Sequence, residues 1–276
     1  MADGALGILA GGGSLPRRIA ERAVAEGRRV FVIAFEEQTD PATVDGLDHA
    51  WMKLGATSNT LKRLHDVGCT EIVMAGPMRR PSLSSLGLDR RSAIALARAG
   101  TRVFGDDGLL SVIVREMEKD GFRVIGVEDI LGGYLVPAGL IAGEAVDAAA
   151  DADIARGIAV LRAMGAEDVG QAVAVQEGLV LAVEAVEGTD AMIERAGALR
   201  RDGPGPILVK GTKPGQEARA DRPTVGPDTI RAAIAAGFRG MALEAEATLI
   251  VDRAEAEAAA RDAGMFIVAR SFGPQA

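Results

Sequence analysis

Residues 6–34 of the chain read LGILAGGGSLPRRIAERAVAEGRRVFVIA. Apolar runs at 6–10 and 30–34 enclose a helical pattern from Leu15 to Glu26. A continuous apolar run is typical of a strand that is buried on both faces, as the strands of parallel sheets are. The order strand, helix, strand therefore predicts a parallel sheet covered by helices.

The same alternation continues through the first half of the chain. Apolar runs at Glu71–Ala75 and Arg123–Val127 predict further strands. Amphipathic patterns predict helices from Ser92 to Arg98 and from Gly108 to Lys119. We therefore expect an α/β fold whose N-terminal domain, residues 1–132, contains a Rossmann-like parallel sheet.

The composition changes beyond residue 131. Residues 131–139 are rich in glycine and an alanine- and aspartate-rich segment follows them, which is typical of a domain boundary. We expect a linker at 133–150 and a C-terminal catalytic α/β domain at 151–276. Apolar runs on both sides of Gln176-Glu-Gly178 predict a hairpin, so the sheet of that domain should be mixed.

The composition also limits the class of protein. One cysteine, Cys69, excludes an intramolecular disulfide framework, and only two histidines make a Cys/His zinc site hard to assemble. The net charge of −8 and the aromatic content of 3% argue against a nucleic-acid binder. No apolar run approaches the roughly 20 residues of a membrane-spanning helix, and a signal peptide is not evident. We expect a cytoplasmic protein, with peripheral contact to a membrane left open.

The densest polar stretch is residues 210–229, KGTKPGQEARADRPTVGPDT. A predicted strand enters it and a predicted helix leaves it, with Pro227 suited to the first helical position. Free N–H groups at a helix start favour anions, and Lys210, Lys213 and Arg219 add positive charge. The stretch indicates a phosphate site, although a solvated surface loop with an ordinary helix cap has the same pattern.

Two carboxylates of this stretch, Asp221 and Asp228, are candidates for holding Mg²⁺. That ion prefers one or two carboxylates together with water and substrate phosphate. Arg219 and Arg222 flank Asp221, and nearby cations lower the pKa of a carboxyl group. Asp221 therefore fits the chemistry of an ionised carboxylate better.

A glycine turn follows the first predicted strand and contains Gly11, Gly12, Gly13 and Ser14. An unobstructed backbone there could approach a phosphate or a sugar. The spacing differs from that of the dinucleotide and Walker motifs. A tight strand-to-helix turn explains the same residues, but a position at the carboxyl end of a strand favours ligand binding.

A second turn at the carboxyl end of a strand contains Ala75, Gly76, Arg79 and Arg80. The adjacent arginines could bind a diphosphate through multidentate hydrogen bonds, whereas a solvated basic loop is the alternative. Asp106 and Asp107 precede a later predicted helix. Helix capping explains at least one of this pair, and Asp106 is the candidate for substrate binding.

The C-terminal domain adds four candidates, which are Gln171, Glu187, Thr189 and Asp190. They lie at the ends of two predicted strands that should neighbour residues 207–209. We therefore expect them to converge on the start of the 210–229 stretch. Capping of the next helix by Thr189 or Asp190 is the simpler alternative.

Several segments together form an ordered set of motifs: Gly7–Pro16, Val73–Gly76 with Arg79–Leu83, Gly105–Gly108, Asp168–Gln171, Glu184–Met192 and Lys210–Thr229. In this set the chain resembles the two-domain UDP-2,3-diacylglucosamine pyrophosphatases, which are found in bacteria that lack the metallophosphoesterase version. The resemblance covers nearly the whole chain.

The resemblance implies an activity. It implies hydrolysis of UDP-2,3-diacylglucosamine to 2,3-diacylglucosamine 1-phosphate and UMP, a cytoplasmic step of lipid A biosynthesis, with Mg²⁺ as cofactor. A further implication is a substrate held between the two domains, with water attacking one phosphorus. We also expect a homodimer and peripheral contact with the inner membrane.

The resemblance assigns the essential acid of the family first to Asp221 and second to Asp228. This chain has Glu217 where aspartate is expected and Arg222 where an apolar residue is usual. Either departure can change the charge around the acid.

The mechanism we expect holds Mg²⁺ at Asp221, alone or with Asp190 or Glu187. Cations at Lys210, Lys213 and Arg80 would stabilise the charge that accumulates on the phosphate oxygens. Apolar residues of the segment from Leu131 to Ala142 are candidates for an acyl-chain groove, and core packing explains them equally well.

Two other functions remain open from the sequence. The α/β first half and its glycine turn would suit a nucleotide-dependent oxidoreductase, against which the glycine spacing weighs. A non-enzymatic sensor of a nucleotide sugar or a lipid would use the same phosphate-binding loops. Metal-dependent release of UMP separates the three functions.

Overall fold

A computed structural model describes residues 4–78, 87–99, 106–214 and 216–273 of the chain. The chain divides into two compact units. The first comprises Met1–Gly132 with Glu217–Asp221, and the second comprises Gly133–Gln216 with Arg222–Ala276.

The first unit is built on five strands: β1 (Ala5–Ala10), β2 (Val30–Phe35), β3 (His49–Met52), β4 (Cys69–Ala75) and β5 (Arg123–Ile125). They form one sheet in the order β3-β2-β1-β4-β5, and every neighbouring pair is parallel. Ile8, Ile33 and Ile72 are fully buried within it. The predicted parallel sheet is therefore confirmed.

The strand order of this sheet reverses at β1, which lies between β2 and β4. In open α/β sheets the loops at the carboxyl ends of the strands diverge at such a point and leave room for a ligand. The loops after β1 and β4 contain the two glycine turns found in the sequence.

The helices described in the first unit are α1 (Leu15–Ala25), α2 (Pro41–Val44), α3 (Thr57–Val67), α4 (Arg90–Ala99) and α5 (Asp106–Lys119). Helix α1 has a proline in its first turn and buries Ile19, Ala20 and Ala23 at helical spacing. Helix α3 ends at Gly68, whose left-handed conformation suits a glycine.

The strands described in the second unit are β6 (Gly139–Ala142), β7 (Ala172–Gln176), β8 (Leu179–Val183), β9 (Ile207–Lys210), β10 (Thr224–Val225), β11 (Gly240–Glu244), β12 (Leu249–Ile250) and β13 (Phe266–Arg270). Six of them form a mixed sheet in the order β6-β13-β11-β9-β7-β8, and β10 pairs with β12 in parallel. The predicted mixed sheet is confirmed, as is the hairpin of β7 and β8, whose turn residues Glu177 and Gly178 both have positive φ.

The helices of the second unit are α6 (Ala148–Ala166), α7 (Thr189–Ala198), α8 (Pro227–Ala235) and α9 (Arg253–Asp262). Alternate residues of β9 face opposite layers, as the period of a strand requires. Leu208 packs with Met192 and Ile230, whereas Val209 packs with Ile154. Helices therefore cover both faces of the mixed sheet.

The segment at 133–150, predicted as a linker, contains β6 and the start of α6. Strand β6 pairs antiparallel with β13 and so belongs to the mixed sheet. Leu131, Val136 and Ala142 are buried, while Leu140 is half exposed. Core packing therefore accounts for Leu131, Val136 and Ala142 but not for the exposed apolar residues of the segment that the sequence had offered as an acyl-chain groove.

Burial raises the pKa of the Cys69 thiol to about 11, so the thiol stays protonated at neutral pH. In the part of the chain that the structure describes, none of the helices is both long and apolar enough to span a membrane.

Candidate functional site

The glycine turn after β1 packs directly against the turn after β4. The Gly11 N–H donates to the Ala75 carbonyl at 2.8 Å, and the Gly12 N–H donates to the Pro77 carbonyl at 2.8 Å. A Cβ at Gly11 would lie 2.5 Å from the Gly76 carbonyl oxygen. The N–H groups of Gly11 and Gly12 therefore already donate to backbone carbonyls of the protein. The glycines allow the backbones of the two turns to lie in close contact.

Gly76→Ala should destabilise the chain. Gly76 has a φ of +89°, and a Cβ there would lie 2.3 Å from the Gly12 carbonyl oxygen. We expect the free energy of unfolding, measured by urea titration, to fall by about 1–3 kcal/mol. Gly132→Ala is the matched control, because nothing lies within 4 Å of its Cβ position. Equal stability of the two variants would contradict this explanation of the turn.

The remaining candidates of the first unit have different surroundings. Gly13 has a φ of +73°, and Ser14 precedes α1 without capping it. The Ser14 hydroxyl accepts a 3.4 Å hydrogen bond from Arg18 Nε. Asp106 is the first residue of α5. Arg80 and the side chain of Asp106 lie outside the described part of the chain.

A cavity of about 350 Å³ lies in the first unit, and most of the residues around it are apolar. Strands β1, β2 and β4 contribute Leu9, Phe35 and Met74, and helices α4 and α5 contribute residues such as Ala95 and Ile113. Its polar side chains include Arg91, Glu116 and Asp221. A mainly apolar cavity with a few polar groups is the usual form of a small-molecule site.

Arg91 connects α4 to α5 beside this cavity. Its guanidinium lies 2.6 Å from Asp120 Oδ1 and 3.2 Å from Glu116 Oε2. A hydrogen bond from Lys119 lowers the pKa of Glu116, and another from Arg91 adds to this effect. Glu116 is therefore ionised at neutral pH, and charge-assisted hydrogen bonds from Arg91 join the two helices.

Asp221 follows a short turn that belongs to the first unit. The Asp221 N–H donates to the Glu217 carbonyl at 3.0 Å. Arg219 binds Glu217 through Nε at 2.8 Å and Glu118 through Nη1 at 2.6 Å. The hydrogen bond from Arg219 lowers the pKa of Glu217. The positive charge expected of Arg219 is thus matched by two carboxylates, while Asp221 lines the cavity.

Asp228, the second candidate acid, has an ordinary surface environment. Its side chain is 94% exposed in the first turn of α8 and lies 2.7 Å from Arg231. Arg231 also binds Glu255 at 2.9 Å. This network belongs to a solvated helix face. Pro227 is the first residue of α8, as predicted.

A buried polar cluster lies at the end of β9 in the second unit. Lys210 and Glu184 are only 5% and 6% exposed. Lys210 Nζ donates to Thr189 Oγ1 at 2.7 Å, and the Thr189 hydroxyl donates to Glu184 Oε1 at 2.7 Å. The Gln171 backbone N–H donates to Glu184 Oε2 at 3.1 Å. Two opposite charges are therefore bridged by one hydroxyl.

Lys213 has a carboxylate partner of its own. It is 8% exposed, and its Nζ lies 2.5 Å from Asp168 Oδ1. Nearby, the Thr212 hydroxyl donates to Glu244 Oε2 at 2.6 Å. Glu184 begins one of the motif segments but was not singled out as a site residue, and Glu244 was not identified at all. The sequence also did not identify Asp168 as the partner of Lys213, because these pairs form between segments far apart in the chain.

The structure brings together some of the residues expected to converge on this region. Gln171 lies beside the loop, since its carbonyl accepts from the Gly211 N–H at 3.1 Å. Thr189 meets Lys210, and α7 is capped by Gly188 without a side-chain hydrogen bond, so Thr189 is not the cap. Strand β8 neighbours β7 rather than β9.

Glu187 and Asp190 have other surroundings. Glu187 binds Arg195, and a hydrogen bond from its own backbone N–H lowers its pKa, with Arg195 adding to the effect. Asp190 is exposed in the first turn of α7.

Within the described ranges, no group of three or more His, Cys, Asp or Glu side chains is arranged to hold a metal ion.

Comparison with known proteins gives two kinds of match. The family model described as the LpxI N-terminal domain matches residues 5–134, and the model described as the LpxI C-terminal domain matches residues 137–268. The chain is also 38% identical over 278 residues to the UDP-2,3-diacylglucosamine pyrophosphatase LpxI of Caulobacter vibrioides, covering 95% of this chain and 96% of that protein.

Proposed function

Because the chain belongs to the LpxI family, we propose that it hydrolyses the diphosphate of UDP-2,3-diacylglucosamine to 2,3-diacylglucosamine 1-phosphate and UMP. The family models account for both halves of the chain, and the 38% identity extends over nearly all of it. The protein is a hydrolase of lipid A biosynthesis.

The observation that best supports this function in the structure is the presence of Asp221 among the residues that line a mainly apolar cavity. The substrate combines a charged diphosphate with two acyl chains. A volume of about 350 Å³ lined mainly by apolar side chains suits part of an acyl chain. An acid beside such a cavity suits chemistry on the polar end of the same molecule.

Lys210 and Lys213 have the chemistry to stabilise the reacting phosphates. Each is a buried ammonium group with a strong donor capacity. Charge builds up on the phosphate oxygens as water attacks one phosphorus and the UMP or sugar-phosphate oxygen leaves. Donors that are already held in place stabilise such charge most effectively, because little reorganisation is needed.

A bound Mg²⁺ is part of the proposal and fits the donor chemistry of Asp221. Such an ion is commonly bound by one or two carboxylates and the substrate phosphates rather than by a complete protein cage. Asp221 would hold the ion, with Asp190 as a second candidate because Glu187 binds Arg195. When bound, the ion would neutralise part of the diphosphate charge.

The proposed function is tested by incubating the protein with UDP-2,3-diacylglucosamine and measuring UMP. We expect UMP release with Mg²⁺, its loss in EDTA, and its return when Mg²⁺ is added in excess. Undiminished release in EDTA would overturn the role of the metal. Ligand binding without any UMP release would favour a sensor, and an absorbance change of added nicotinamide cofactor would favour an oxidoreductase.

A further inference from the structure

We propose that Glu184 is a positioning residue for Lys210 and acts through the hydroxyl of Thr189. The proposal rests on the role of Lys210 in the function proposed above. It adds a residue that was not among the candidate site residues of the sequence, and it assigns to Thr189 the task of orienting a cation.

The contacts define a chain of hydrogen bonds with one direction. An ionised carboxylate accepts hydrogen bonds only, whereas an ammonium group donates only. Glu184 Oε1 accepts from the Thr189 hydroxyl, which leaves the lone pairs of that hydroxyl for Lys210 Nζ. The direction from Lys210 through Thr189 to Glu184 is therefore set by the two charged ends.

The second oxygen of Glu184 fixes the carboxylate itself. Glu184 Oε2 accepts from the Gln171 backbone N–H at 3.1 Å, and a backbone N–H cannot reverse its role. The Glu184 backbone N–H donates in turn to the Ala172 carbonyl at 2.9 Å. The acid is thus held at both its side chain and its backbone.

Rigid elements support this arrangement. Lys210 lies opposite Ala172 in the pairing of β9 with β7. A Cβ at Gly170 would lie 2.1 Å from the Glu184 carbonyl oxygen, so only glycine permits this approach of the two segments. Groups that are held by strands and close packing keep their geometry better than groups on mobile loops.

Glu184→Gln would disturb the chain of hydrogen bonds with little change of volume. The amide presents one oxygen and one NH₂ group, so one of the two donors now facing Glu184 would meet another donor. If the NH₂ group faced Thr189, the hydroxyl would accept from both the amide and Lys210, and its own hydrogen would lose the carboxylate that now fixes its direction. The Thr189 oxygen would then no longer be held in the orientation in which it accepts from the Lys210 ammonium.

The first measurement is the steady-state rate of UMP release by Glu184→Gln. We expect kcat to fall by about 10- to 100-fold, the usual effect of a hydrogen bond to a charged group, while KM changes by less than about threefold. Glu194→Gln is the matched control, because it removes the same charge from an exposed position on α7. A purely structural role would instead lower the thermal unfolding midpoint and leave kcat per folded molecule unchanged.

The second measurement is a double-mutant cycle with Lys210→Met. If Glu184 acts through Lys210, Glu184→Gln costs little further activity once Lys210 is replaced. An equal loss in both backgrounds would overturn the positioning role and leave the function of Lys210 intact. Full activity of Lys210→Met would overturn the role of Lys210 itself, and the positioning role with it.

Thr189→Val and Thr189→Ser test the same chain if Glu184→Gln does not fold. Valine has the shape of threonine without the hydroxyl, whereas serine keeps the hydroxyl. We expect the kcat of Thr189→Val to be at least about tenfold lower than the kcat of Thr189→Ser. Equal rates for the two variants would show that the hydroxyl does not orient Lys210 and would overturn the proposal.

Discussion

Asp221→Asn abolishes UMP release while the chain still binds UDP-2,3-diacylglucosamine. Asparagine keeps the size of the side chain and removes its negative charge. We expect kcat to fall by on the order of 10³-fold or more, since a metal-held charge stabilises the transition state by several kcal/mol. Rapid-quench measurement of UMP and isothermal titration with the substrate test the two halves of the prediction.

Asp228→Asn is the informative comparison, because Asp228 is the other acid that the motif offers. Its side chain is 94% exposed and paired with Arg231, so we expect its kcat to stay within about threefold of the original chain. Asp262→Asn, at the exposed end of α9, controls for the loss of one surface charge. A large loss in Asp228→Asn with normal turnover in Asp221→Asn would reverse the assignment.

Ala95→Phe raises KM for the diacylated substrate more than for an analogue with short acyl chains. Ala95 borders the cavity of the first unit, and a phenyl ring there occupies part of the volume that we assign to an acyl chain. Burial of one methylene contributes about 0.8 kcal/mol. Exclusion of three methylenes would therefore raise KM by about 50-fold.

The control for this prediction is Ala97→Phe on the same helix. Ala97 is exposed and does not border the cavity, so the added ring should leave KM nearly unchanged. KM is measured from UMP release for substrates of two chain lengths. An equal effect of Ala95→Phe on both substrates would show that the cavity does not hold an acyl chain.

The strands that the sequence predicted are those with continuous apolar runs. Strands β1, β2 and β4 are buried along almost their whole length, so their sequences carry the signal directly. Strand β3 has only four residues, HAWM, and alternates exposed and half-buried positions. Helix α3 buries only Thr60, Leu61 and Leu64. Strand β3 was missed because four partly exposed residues give no apolar run. Helix α3 was missed although its buried residues Thr60, Leu61 and Leu64 recur at helical spacing.

The candidate site was predicted less completely than the fold. The 210–229 stretch contributes Lys210 and Lys213 to polar contacts of the second unit and Asp221 to the cavity of the first unit. The sequence could not show that Lys213 meets Asp168, 45 residues away, or that Lys210 is linked to Glu184. The pairing of β7 with β9 brings these residues together. The sequence of either strand alone does not show which strand it pairs with.

The glycine turn shows a different limit. Its composition predicted a turn at the carboxyl end of β1, and the structure contains one. Position 11 requires a glycine because the backbone of Gly76 leaves no room for a Cβ there. The two backbones lie side by side because β1 and β4 are neighbours. The sequence likewise ranked Asp221 above Asp228 only by its flanking cations and its place in the motif. Their exposure and partners distinguish them, and both are properties of the folded chain.

The central claim is hydrolysis of the diphosphate at a site that depends on Asp221. The most direct measurement is identification of the products formed from UDP-2,3-diacylglucosamine by the original chain and by Asp221→Asn, with mass spectrometry. We predict equal amounts of UMP and 2,3-diacylglucosamine 1-phosphate from the original chain and neither from the variant. Release of UDP and free 2,3-diacylglucosamine, or equal product from both proteins, would contradict the account.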